Sequence, residues 1–366
     1  MHANSDDIQV MIKEIELIPD VMRKCLEDHG GHIRSLAQSI VETGVEHLWL
    51  TGCGDSAFAG SAAALAFTKS SQLPTRGIHA LDLARYEVRY LAKNSLAIGL
   101  SFSGKVGRTS EAAIQVRKFG HRFIALTNAP NGPLGLAAGE ILPIDVPILG
   151  FSPGTSSYVG MLMTLFTLAA EIAEIKGSRA LRESLEKIPD LAAKTLELSK
   201  SAALEAAKII AQHEWIAFIG AGPNEATAKF GAAKLFEGPQ QVGVSTNIEE
   251  WAHEEYFVTK PGTPVVVVAP NGASVDRASE IVSEINFLGA KALVISESDL
   301  GFNSLHIEIA KGVSEELSPL LTCLPLSLIG FYLAELKNKK SYNFKDEETK
   351  VEHYETIHRA TLGTPA

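Results

Sequence analysis

Short apolar runs that stop on glycine or serine and pass straight into helical stretches recur along this chain. That pattern constrains the fold more than any other feature. Leu96-Ala97-Ile98-Gly99-Leu100 is apolar throughout rather than alternating, which predicts a buried parallel strand. It breaks on Ser101-Phe102-Ser103-Gly104-Lys105-Val106-Gly107-Arg108-Thr109 and restarts as a helix over residues 110–119. Such a break aims backbone N–H groups at one point, where the orphan donors and the helix dipole together favour an anion. Two serine hydroxyls, two cations and small residues in one turn make a cradle for a phosphate-like group. A capped turn with solvated Lys105 and Arg108 is the plainer reading of the same residues.

The same alternation organises the rest of the first half. Ile8, Met11, Ile12, Ile15, Ile18, Val21 and Met22 recur at three and four, predicting helix over residues 5–45, with Pro19 separating two helices. This hairpin either packs on a partner subunit or caps a sheet. A strand over residues 46–51 runs into Gly52-Cys53-Gly54-Asp55-Ser56 and an Ala-rich helix over 57–68. There the glycines permit a tight turn, and Ser56 either caps the helix or touches a ligand. Further strands are expected over 75–80, 121–128 and 140–146. A Gly/Ser loop, Gly150 to Ser157, precedes an apolar helix over 161–175. Strands alternating with helices imply a doubly wound parallel sheet with helices on both faces, whose ligands sit beyond the carboxyl ends of the strands. The G-x-G at Gly52 lacks the rest of the dinucleotide fingerprint, which argues against a dehydrogenase.

The chain then repeats itself. Glu214 to Gly222 echoes Glu46 to Gly54, with Gly222 lying 168 residues after Gly54. Residues 264–272 echo the strand and loop around Ser101, and 290–296 echo 121–127. One α/β unit has been duplicated. The second copy has lost the paired serines, so only the first loop is expected to hold the anion.

A net charge of −10 argues against a general nucleic-acid binder, which needs a basic face, and still allows a local basic site for a small anion. Cys25, Cys53 and Cys323 show no metal spacing and point to a reducing cytoplasm. No apolar run is read as long enough to cross a membrane, and residues 1–7 do not read as a secretory signal.

The second copy carries two candidate catalysts. A helix over 226–236 ends at Glu237, before Gly238-Pro239. A carboxylate there opposes the helix dipole, which would raise its pKa and suit a general base. His253 lies in Asn247-Ile248-Glu249-Glu250-Trp251-Ala252-His253-Glu254-Glu255, among carboxylates that would orient its ring. A surface glutamate and a structural histidine are the plain alternatives.

Together these residues resemble the sugar isomerase (SIS) family in its double-domain form. That form is found in the isomerase half of glucosamine-6-phosphate synthase and in the fructosamine-6-phosphate deglycases. Gly52-Cys53-Gly54-Asp55-Ser56 matches the family's G-x-G-x-S, and Ser101 to Gly104 its S-x-S-G phosphate loop, with Thr109 at a following hydroxyl position. Thr155, Ser156 and Ser157 fall at a turn that touches the sugar in relatives. Glu237 falls where relatives move a proton between C1 and C2, and His253 where they assist ring opening. The resemblance implies two tandem flavodoxin-like α/β domains: a helical segment over 1–45, a first SIS domain over 30–195, a second over 196–340 and a tail over 341–366. It also implies a homodimer with shared active sites and no cofactor or metal. The tail either folds over a site or is disordered.

This sequence departs from the family in two places. The loop continues Lys105-Val106-Gly107-Arg108 where relatives often carry acidic and hydroxyl residues, and His253-Glu254-Glu255 replaces H-G-P. The expected function is aldose–ketose chemistry on an anionic hexose, without nucleic-acid or membrane partners. Ser56, Ser101, Ser103, Lys105 and Arg108 would hold the anion, with Phe102 and Thr109 also expected among the substrate-binding residues. Isomerisation, deamination and deglycation share the same proton transfer, and Lys105 with Arg108 keeps a 6-sulfonated sugar open. The non-catalytic alternative is a sugar-phosphate sensor.

Overall fold

The computed structural model describes residues 8–28, 30–342 and 344–358. The reading of residues 1–7 and the last part of the tail therefore lie outside the described residues. Among the described residues, ten strands form two five-stranded parallel sheets. The first holds β1 (His47–Gly52), β2 (Thr75–His79), β3 (Ser95–Leu100), β4 (Arg122–Thr127) and β5 (Glu140–Pro143), in the order β2-β1-β3-β4-β5. The second holds β6 (Trp215–Gly220), β7 (Val242–Asn247), β8 (Pro264–Val268), β9 (Lys291–Ser296) and β10 (Leu305–Glu308), in the order β10-β9-β8-β6-β7. Read from the other edge, this is the same winding. In both, the chain reverses its direction across the sheet at the first and third strands.

Two compact units contain these sheets, interleaved along the sequence. One comprises Val21–Pro147, Ser157–Glu186 and Phe344–Ala366, and carries the first sheet. The other comprises Met1–Asp20, Ile148–Ser156 and Lys187–Asn343, and carries the second. Every residue of β3 and of β8 is buried, as expected of strands covered on both faces. In the first unit Ala97, Phe123 and Ala125 pack against Ala112, Ala113 and Val116 of the helix Gly107–Lys118. In the second, Ile219, Val265 and Val267 pack with Ala278, Ile281 and Ile285 of the helix Val275–Phe287.

The two sheets also share backbone angles. Gly54 opens the helix Asp55–Ser70 with φ 54° and ψ −132°, and Gly222 opens Pro223–Glu237 with φ 54° and ψ −130°. A side chain is strained in that region, which is why glycine stands at both places.

Two expectations are corrected. Pro19 does not separate two helices: Ile8–Asp28 is continuous with Pro19 inside it, and the next helix starts at Gly30. A proline costs an interior helix about 3 kcal/mol. Ile15, Ile18, Val21 and Met22 are buried on both sides of it and offset that cost. Second, two helices, Ser156–Ile175 and Pro319–Leu336, are long and apolar enough to cross a membrane. Interspersed polar residues such as Thr164 hid the first of them, and Thr164 satisfies its hydroxyl on the Gly160 carbonyl at 2.8 Å. Both stretches lie in the protein interior, 89% and 83% buried. The tail, for which the sequence left both folding over a site and disorder open, is helical over Glu347–His358.

Candidate active site

In the first sheet the reversal between β1 and β3 places two loops side by side beyond the strand ends, where ligands of such sheets bind. A Cβ built on Gly52 would lie 2.8 Å from the Ser56 Cβ and 3.0 Å from the Leu100 carbonyl oxygen, so only glycine lets the loops approach. Residues 101–104 form a tight turn closed by the Gly104 N–H on the Ser101 carbonyl at 3.0 Å. Gly104 has φ +65°, and a Cβ there would lie 3.0 Å from the Thr127 Oγ1. The Phe102 carbonyl accepts from the Asn128 N–H at 3.0 Å and from the Thr127 hydroxyl at 3.3 Å, which ties the turn to the end of β4. Phe102 thus serves through its backbone.

The hydroxyls of this crevice differ. Ser101 is only 1% exposed and its Oγ has no hydrogen-bond partner, an arrangement that costs free energy until a ligand supplies one. The Ser103 hydroxyl accepts the Lys105 N–H at 3.3 Å, and the Ser56 hydroxyl lies 3.4 Å from the Met161 sulfur. Thr109 is buried beside Cys53. Burial pushes the Cys53 thiol up, with the Thr109 hydroxyl and the Arg108 charge pulling it back.

The two cations are not equivalent. Lys105 is exposed. Arg108 pairs with Glu111, a buried carboxylate that Arg85 also engages at 2.9 Å. Sequence reading gave Arg108 to the anion, but the structure commits much of its charge to Glu111. Glu111 lies one helical turn further on, and only the helix register shows that the two meet.

Glu237 belongs to the other unit and closes the helix Pro223–Glu237 as expected. Its surroundings are those of an ion pair rather than of a lone carboxylate opposing a dipole. The Lys234 ammonium, fully buried, donates to Glu237 Oε2 at 2.6 Å and to the Gly154 carbonyl at 3.0 Å, and lies over the Phe230 ring. Glu14 joins from the helix Ile8–Asp28: its carboxylate accepts from Ser152 at 2.9 Å and from Thr155 at 3.3 Å. Burial pushes the Glu14 carboxyl above the ordinary carboxylate range, while those hydroxyls and the Lys234 charge pull it back. Tyr342 adds a further tie, its N–H on the Glu237 carbonyl at 2.8 Å and its hydroxyl on the Ser152 carbonyl at 3.1 Å.

Thr155, expected to face a sugar, spends its hydroxyl on Glu14. Ser156 is buried at the start of the helix Ser156–Ile175, and Ser157 is half-buried one residue on. Sequence reading missed Glu14 and Lys234, although each had a signal. Glu14 interrupts the apolar stripe of Met11, Ile15 and Ile18, and Lys234 falls four residues after buried Phe230. A charge inside an apolar stripe implies a buried partner.

His253 follows the short helix Ile248–Trp251, which Asn247 caps by accepting the Glu249 N–H at 2.9 Å. Its ring is 70% exposed, with Nε2 at 3.4 Å from Glu249 Oε1. Arg277 grips the same carboxylate at 2.8 and 3.0 Å and holds it below the usual carboxylate range. One fixed carboxylate therefore orients the ring. Among the described residues no group of three or more His, Cys, Asp or Glu side chains is arranged to hold a metal.

Residues 43–170, which span the first sheet and most of the helix that follows it, match the SIS domain family; the chain carries a SIS domain there. It is 26% identical over 340 residues to a glutamine–fructose-6-phosphate aminotransferase (isomerizing) of Gloeobacter violaceus, covering 88% of this chain and 55% of that protein. The chain thus spans about half the length of the curated relatives it matches. Among solved structures, the C-terminal domain of glucosamine-fructose-6-phosphate aminotransferase from Francisella tularensis superposes with a TM-score of 0.77 at 22% identity, over 92% of this chain and 98% of that one. Tagatose-6-phosphate ketose/aldose isomerase from Escherichia coli gives 0.72 at 16% identity, over 89% and 92%.

Proposed function

We propose that this chain is an enzyme of aldose–ketose chemistry that acts on an anionic hexose, a sugar 6-phosphate or amino-sugar phosphate. The observation that carries the reading is the buried, partnerless Ser101 hydroxyl just past the end of β3, where the winding reverses, beside a turn that only glycine can make. A buried hydroxyl without an acceptor suits a phosphate oxygen. Lys105 adds an exposed charge to that loop. Relatives named for reactions of fructose 6-phosphate and tagatose 6-phosphate agree with such a substrate.

The chemistry is assigned to the second unit's residues. Glu237 takes the proton from one of the adjacent carbons C1 and C2 and returns it to the other, through a cis-enediol, or an enolamine where the sugar carries an amine. The Lys234 ammonium keeps that carboxylate aligned. His253, oriented by Glu249, assists opening of the sugar ring. An amine at C1 or C2 of the substrate decides between isomerisation and amine release. Cys25, Cys53 and Cys323 are thiols, which suits a reducing cytoplasm, and we expect a homodimer.

The test begins with thermal shift against hexose 6-phosphates, amino-sugar phosphates, fructosamine phosphates and 6-sulfo-hexoses, since a ligand of the native state raises the melting temperature. With the sugar so found, Glu237→Gln is expected to stop exchange of the C2 deuterium with solvent while binding persists. Retained exchange would remove Glu237 from the mechanism.

A further inference from the structure

The second sheet has the same crevice at the same reversal, between β6 and β8, and something already sits in it. Gly222 and Gly272 stand where Gly54 and Gly104 stand in the first copy, 168 residues earlier. Glu315, from a short turn ahead of the helix Pro319–Leu336, reaches between these two loops. Its Oε2 accepts the Ala273 N–H at 3.1 Å. Its Oε1 lies 4.0 Å from where a Cβ on Gly222 would be, and a methyl on Gly272 would collide with the carboxyl group. The position equivalent to Ser103 is Asn271, whose amide is bonded to Glu297, a second carboxylate in that loop region. Burial pushes the Glu297 carboxyl above the ordinary range.

We infer that Glu315 is the built-in ligand of the second crevice, its carboxylate occupying the seat that the first crevice leaves for a small oxyanion. The comparison with the first crevice rests on the functional reading given above; the occupancy of the second does not. The duplicated fold conserves a backbone that binds oxyanions, because the reversal point and the two glycine turns are properties of the winding. One copy would keep the seat open for substrate. The other would satisfy its donors from within, and the negative charge of Glu315 and Glu297 would exclude a second substrate anion. A chain with two such crevices would then bind one anion.

Removing the side chain should uncover a site for a small carboxylate or phosphate. Glu315→Ala is expected to melt at lower temperature than the natural protein and to recover when formate replaces chloride at equal ionic strength. The gain should grow with formate as the logarithm of its concentration over the dissociation constant and reach about 2 °C at ten times that constant. The natural protein and Glu315→Gln, which keep the seat filled, are expected to show no formate-specific gain. Inorganic phosphate should likewise bind Glu315→Ala with one more site per chain than the natural protein. Glu315→Ser serves as a second variant, read in the same way, including refolding with formate present. If neither variant gains stability or folds with formate, or if the natural protein gains equally, the assignment is overturned. No sugar and no turnover enter this measurement, so its failure leaves the role of the first crevice standing. Failure of the deuterium-exchange test would likewise leave Glu315 untouched.

Discussion

Replacing Lys234 by methionine is the perturbation whose size the structure defines best. Methionine preserves the length of the stem and its contact with Phe230, and removes only the ammonium. The Glu237 carboxylate at 2.6 Å then loses its counter-charge, and the Gly154 carbonyl at 3.0 Å loses this donor. Breaking a fully buried pair costs about 3–5 kcal/mol. Glu237 is 27% exposed and keeps part of its hydration, which lowers that contribution to about 2 kcal/mol. The carbonyl adds about 1 kcal/mol. A loss of about 3 kcal/mol corresponds to about 4 °C in a chain of this size. The assay is urea unfolding followed by tryptophan fluorescence, run as a double-mutant cycle with Glu237→Gln. In the Glu237→Gln background the Glu237 carboxylate is no longer there to be left unpaired, so Lys234→Met should cost about 2 kcal/mol less, while its weaker charge interaction with Glu14 is lost in both backgrounds. Additivity within about 0.5 kcal/mol would refute the reasoning, because Lys234 would then be stabilising something other than Glu237.

Two further expectations follow from the same geometry. Ser101→Ala should leave folding stability unchanged or slightly higher, since its buried hydroxyl has no partner, yet weaken the sugar phosphate by about 10- to 100-fold through loss of a charge-assisted hydrogen bond; equal affinity in a ligand titration would move the anion elsewhere. Glu14 has its carboxyl raised by burial above its ordinary value of 4.5, so the folded chain takes up that proton first as pH falls. Stability from this group is then fullest below the unfolded value and declines as pH rises through the folded one. Glu14→Gln abolishes the decline, and its stability relative to the natural protein should increase from pH 4 to pH 8. A difference that stays flat with pH would show that Glu14 does not titrate in this range.

Much of the fold was legible because its signals are local. The apolar run 96–100, the glycine turns at 52–54 and the helix ending at Glu237 each announce themselves within about ten residues. The offset of 168 residues exposed the duplication, and the shared winding and the matching angles of Gly54 and Gly222 agree with it. β7 and β10 went unread, since Val242 to Asn247 mixes polar with apolar residues at a sheet edge and Leu305 to Glu308 is too short for a pattern. Pro19 misled because a local rule met a helix buried on both sides of it. For the candidate site, sequence located the loop and Glu237 but not their electrostatic partners.

The sequence by itself determined the α/β winding, the two crevices, and the identity of the groups that could bind an anion or move a proton. Each of these depends on contacts between residues close along the chain. Only the tertiary structure decided how those groups are charged and occupied. Arg108 is committed to Glu111, Glu237 is held by a buried Lys234, and the second crevice is filled by Glu315. Charge pairing is a matter of distance in space and of exclusion of water, and Glu14 and Ser152, 138 residues apart, share a hydrogen bond that no pattern in the chain displays.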